Sequence, residues 1–189
     1  MDTTPIPSTK NQIRRLALSA MFMAVGIVLP FLTGQIQQIG NMLLPMHLPV
    51  FLCALICGWQ YGGTVGLLTP LLRSAMFGMP VIFPSAVSMA AELAVYGLAA
   101  GFLYGMWKKQ NVISVYTAMI PAMLLGRAVW GAVQLTLLSF SGSVFTFEMF
   151  LAGAFLNAVP GIILQLVLIP AVMSVLHHTG VLRFRNGQR

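Results

Sequence analysis

Apolar residues run through this chain in long stretches parted by only a few polar positions, from Leu16 almost to the end. Stretches of this kind approach or exceed the ~20 residues a helix needs to cross a bilayer. They leave too little polar surface to face water, so lipid is the solvent the pattern fits. Composition agrees, because only 7% of the residues are charged and 58% are hydrophobic, whereas a soluble domain carries roughly a quarter charged. The stretches lie at 16–33, 42–57, 62–77, 85–107, 112–140 and 147–176. The fold class expected is an all-α membrane protein, a six-helix transmembrane bundle forming one domain over 1–189, with short mobile tails at about 1–12 and 180–189. Pro30, Pro45, Pro49, Pro70, Pro121, Pro160 and Pro170 fall in or beside the apolar stretches. Kinks and partial spans are therefore expected, with the freed carbonyls satisfied by neighbouring groups or a cavity.

The net charge is +7, but its distribution argues against nucleic acid as a partner. Outside the apolar stretches the basic residues cluster at Lys10, Arg14 and Arg15, at Lys108 and Lys109, and at Arg183, Arg185 and Arg189. Six spans put all three clusters on one side, which the positive-inside rule makes cytoplasmic, both termini included. The connections on the other side, around 34–41, 78–84 and 141–146, hold no Lys or Arg. The first apolar stretch follows a basic segment but lacks a convincing small-residue cleavage site, so it reads as a retained span.

Ionisable residues inside a span are costly and usually face the protein interior. Here they are Arg73, Glu92 and Arg127, and on the six-span topology all three fall in the outer half of the membrane. Steps of three and four place Ser85, Ser88, Glu92 and Tyr96 on one helix face, and Met123, Arg127, Trp130 and Gln134 on another. Asn157 with Gly153 and Gly161 makes a third stripe, and His47 stands near the outer end of the second helix. An outward-facing polar pocket is the construction expected, with residues 35–41, ending at Asn41, as part of a lid. Glu92 paired with one Arg and the other Arg snorkelling would instead be purely structural. Two cations against one anion leave a positive charge that an anionic solute would balance.

Other features argue against alternatives. Cys53 and Cys57, one turn apart in an apolar stretch, read as ordinary buried thiols, and His47 has no second ligand at metal spacing. No metal or cofactor is called for. H-E-x-x-H, G-x-S-x-G, paired intramembrane aspartates and a Walker motif are all missing from the sequence, so the chain reads as a non-enzyme whose energy comes from a gradient or another subunit. Ala17, Ala20 and Ala24 give the first helix a small-residue stripe, AMFMA at its centre, which permits close approach of another helix, inside the bundle or from a partner.

A basic amino terminus before an alanine-rich first helix, six short spans, and the segments PMHLPVFL, PLLRSAMFGMP and MAAELAVYG together resemble the substrate-binding S components of energy-coupling factor (ECF) vitamin transporters. The resemblance covers nearly the whole chain. It implies a six-helix protein of the bacterial plasma membrane that binds a vitamin from outside and is capped by outer loops. The implied partners are a transmembrane coupling subunit and two cytoplasmic ATPase subunits, and AMFMA looks like the alanine motif that docks on the coupling subunit. The charge argument favours a small carboxylate such as pantothenate. A neutral pyridoxine- or pyrimidine-like compound remains a competitor, and a non-transport assembly or scaffold protein is the rival from another class.

Overall fold

The computed structural model describes residues 9–33, 43–107, 110–140 and 146–179, the side chains of residues 32, 33, 154 and 155 apart. Among these residues there is no strand, and seven α-helices follow one another: α1 (Thr9–Val28), α2 (His47–Cys57), α3 (Trp59–Phe77), α4 (Val87–Met106), α5 (Val112–Phe140), α6 (Phe147–Leu151) and α7 (Val159–His178). The expected count of six is therefore corrected to seven. The difference lies in the last apolar stretch, which the chain breaks in two. Thr146 caps α6 by accepting a hydrogen bond from the Met149 N–H at 3.3 Å. After α6 the backbone widens over Ala152–Leu156, and the Asn157 N–H donates to the Ala152 carbonyl at 2.9 Å. Pro160 then sits in the first turn of α7, where a residue without an N–H suits a helix start and not an interior.

Four helical stretches are long and apolar enough to cross a membrane: Thr9–Phe31, Ile82–Met106, Val112–Phe140 and Val159–His178. α1 begins at Thr9, inside the stretch expected to be a tail. α2 has 11 residues, about 16 Å at the usual helical rise, and is a partial span. It is also the centre of the core. Val50, Phe51 and Cys53 are fully buried, as a helix apolar on every side must be, and α1, α3, α4 and α7 all pack on it. Cys53 and Cys57 are free buried thiols, and Cys53 donates to the Ser19 hydroxyl of α1 at 3.6 Å.

The α3–α4 and α4–α5 seams set the rotation of the helices that carry the charged residues. A Cβ on Gly66 would strike the Leu93 carbonyl, and one on Gly97 would strike the backbone of Gly62. Only glycine allows this approach, the usual device where lipid offers no hydrophobic drive between helices. Because Leu93 abuts Gly66, its neighbour Glu92 is turned into the bundle, where it is 2% exposed.

Candidate functional site

The polar residues of α4 and α5 meet at equal depth. Glu92 lies about 21 Å before the end of α4 and Arg127 about 22 Å after the start of α5, at ~1.5 Å per residue. The two helices are thus antiparallel with the charges level. The Tyr96 ring rests on Gly126, which has no side chain to displace it, and this brings Arg127 against Glu92. Arg127 Nη1 stands 3.0 Å from Glu92 Oε1, and His47 Nε2 of α2 faces the same oxygen at 3.6 Å. Tyr96 closes the cluster, edge-on to His47 with ring centroids 5.3 Å apart and stacked on Phe51 at 5.1 Å.

His47 is held at this corner by an uncommon backbone. Leu44 precedes it with φ 50, the left-handed region that a branched side chain rarely adopts, and its carbonyl accepts the His47 N–H at 3.1 Å. Such conformations persist where the surroundings enforce them and recur at functional sites.

The cluster is charge-balanced but not hydrogen-bond-balanced. Glu92 Oε1 is close to Arg127 and His47 without hydrogen-bond alignment, and Arg127 Nε and Nη2 and both ring nitrogens of His47 are buried without an aligned hydrogen bond. Among the described residues, the other buried side-chain atoms in this condition are Gln134 Oε1 on α5 and both amide atoms of Gln165 on α7. Buried polar groups are normally satisfied, and each exception asks for an explanation. A bound molecule carrying both donors and acceptors would satisfy these.

Arg73 is placed elsewhere. It is buried near the end of α3, donates from Nη1 to the Ile27 carbonyl at 2.6 Å, and lies over the Phe31 and Phe77 rings at 4.9 and 5.7 Å. Ile27 falls in the last turn of α1, so Arg73 clamps the end of α1 to α3. Trp130 stacks on Phe150 at 6.3 Å and lies over Gly153, packing α6 and the segment after it against α5. Asn157 is exposed in the turn before α7. Asn41 and the lid segment 35–41 lie outside the described residues. Ala17, Ala20 and Ala24 are exposed on α1. Sequence reasoning missed Gln165, which is 1% exposed. The signal was present, since Gly161, Gln165, Ile169 and Met173 continue in steps of four the stripe begun at Gly153 and Asn157.

Residues 14–173 match the family model described as "ECF transporter, substrate-specific component". No curated protein and no solved structure matches the chain.

Proposed function

The chain belongs to the family of ECF transporter substrate-specific components, and from that premise we propose that it captures a vitamin-class micronutrient on the His47–Glu92–Arg127 cluster. Membership makes it a multi-pass membrane protein of transport whose part is substrate binding, not catalysis, and sets aside a scaffold with purely structural charges. A coupling subunit and ATPase subunits are the partners the family implies. Both termini are cytoplasmic in this proposal, and the membrane is the bacterial plasma membrane. In this proposal Tyr96, which packs on His47, and Gln134, Trp130 and Asn157 also serve the solute.

The observation that carries the reading is the set of buried atoms on His47, Glu92 and Arg127 left without an aligned hydrogen bond. A buried donor left unmade costs about 1–3 kcal/mol, so a bundle that merely held itself together would leave fewer. A solute supplying the missing partners turns that cost into affinity. Native mass spectrometry of the purified protein tests this. A co-purified molecule of vitamin size is the expected result, and a protein that carries none and takes up none from a vitamin mixture would count against the proposal.

A second reading, a small carboxylate such as pantothenate, is favoured by Arg73. Its guanidinium has no carboxylate partner among the described residues, and a solute carboxylate would neutralise it.

A further inference from the structure

The His47 imidazole is buried with neither ring nitrogen in an aligned hydrogen bond, while the Leu44 carbonyl holds its backbone N–H. The ring nevertheless turns Nε2 to within 3.6 Å of Glu92 Oε1, so packing sets its direction. Tyr96 supplies that packing. The two rings meet edge-on, 5.3 Å between centroids and 61° between planes, and Tyr96 also stacks on Phe51 at 5.1 Å. His47 and Phe51 share one face of α2, and Glu92 and Tyr96 share one face of α4, because residues four apart stand one above the other on a helix. The Tyr96 ring therefore locks together the two faces that carry His47 and Glu92.

The third helix enters through Gly126. A methyl group there would overlap Cε1 and Cδ1 of the Tyr96 ring and come within 3.2 Å of the Glu92 carbonyl, so the ring lies directly on the α5 backbone, beside Arg127. That contact limits how near α5 comes to α4, and with it the 3.0 Å from Arg127 Nη1 to Glu92 Oε1. One ring, 2% exposed, thus touches every helix that contributes to the cluster. Binding groups are held in productive geometry by neighbours whose own rotamers packing has locked, and Tyr96 meets that description.

We infer that Tyr96 is the positioning residue of the capture site, on the reading that the solute binds at the His47–Glu92–Arg127 cluster. Its ring sets the aim of the His47 imidazole and the approach of Arg127 to the Glu92 oxygen that both face, and it acts on the solute through those groups. Gly126 is the seat of the ring, so a methyl added there disturbs the aim while all four side chains stay chemically intact.

Two measurements on the purified full-length protein test this. The first is the His47 ring resonance in the solute-free protein, read by NMR with histidine-selective isotope labelling; the chain has three histidines, and His47→Gln assigns the signal. The second is the concentration of an equimolar mixture of the water-soluble vitamins at which half of the protein carries a bound molecule, read by native mass spectrometry. Gly126→Ala should move the His47 resonance and raise that concentration about tenfold, the worth of one hydrogen bond to a charged group put out of line. Tyr96→Leu, which keeps the seat and removes the ring, should do the same and stands in if Gly126→Ala does not fold. Gly63→Ala is the control for packing damage as such. Its methyl would strike the Leu98 side chain, about 9 Å along α4 from Glu92 at ~1.5 Å per residue, so it should lower the thermal midpoint without moving the resonance or the capture. An unmoved His47 resonance in the folded variants defeats the role of Tyr96 alone, as does a Gly63→Ala protein that matches Gly126→Ala in both measurements. A moved resonance with capture unchanged, or a wild type that carries nothing from the mixture, defeats the cluster as the site and the role of Tyr96 with it.

Discussion

Three cations and anions inside an apolar chain were visible as a group in the sequence, but their pairing was not. Glu92 and Arg127 find each other because glycines at positions 66 and 126 let α3, α4 and α5 close up around them, a three-body arrangement that helical spacing along one segment cannot show. The partner of His47 was hidden for the same reason, as Glu92 comes from another helix. Arg73 shares the chemistry of Arg127 and has a different environment, a carbonyl and two phenyl rings. Its hydrogen bond, made by a charged donor, should contribute about 1.5–3 kcal/mol. Arg73→Gln is therefore expected to lower unfolding stability by roughly that amount, with solute affinity little changed. Thermal unfolding and titration of the same purified variant check both; unchanged stability with weakened binding would return Arg73 to the site and favour the carboxylate reading.

At the scale of helices, the sequence displayed most boundaries because apolar length alone sets them, and the start of α5 at Val112 was read correctly. The exceptions are local. The break between α6 and α7 depends on a widened turn over Ala152–Leu156 that no single residue type announces, and the shortness of α2 depends on the turn through Leu44. α1 is the helix with a function of its own to test. Its alanines at 17, 20 and 24 are exposed, so a large residue there meets no core. Ala20→Trp and Ala24→Trp should impair assembly with the coupling subunit and uptake by cells while leaving solute affinity intact, since bulk bars the close approach that small residues permit. Co-purification of the complex and titration of the isolated subunit measure the two separately. Normal assembly with weakened binding would place the stripe in the solute site instead.

For the whole molecule, the distribution of Lys and Arg makes an orientation testable that helix packing leaves open. A reporter fused after Arg189 and another inserted beside Lys109 should both register the cytoplasm, because the three basic clusters share a side if the chain crosses an even number of times between them. A signal from outside at either position would contradict the proposed topology. If that topology holds, the buried His47–Glu92–Arg127 cluster lies in the outer half of the membrane.

That cluster as the place of capture is the central claim, and the affinity of the co-purified solute for three proteins tests it most directly: wild type, Arg127→Gln, and the double variant Glu92→Gln with Arg127→Gln. Arg127→Gln leaves Glu92 buried without its cation, which costs about 3–5 kcal/mol of stability, so a loss of binding in it alone could reflect misfolding. The double variant removes both charges and should recover much of that stability. Wild type is expected to bind, and the double variant, folded by its thermal midpoint, to bind at least about tenfold more weakly, as the loss of charge-assisted hydrogen bonds implies. A folded double variant that holds the solute as tightly as wild type would contradict the claim.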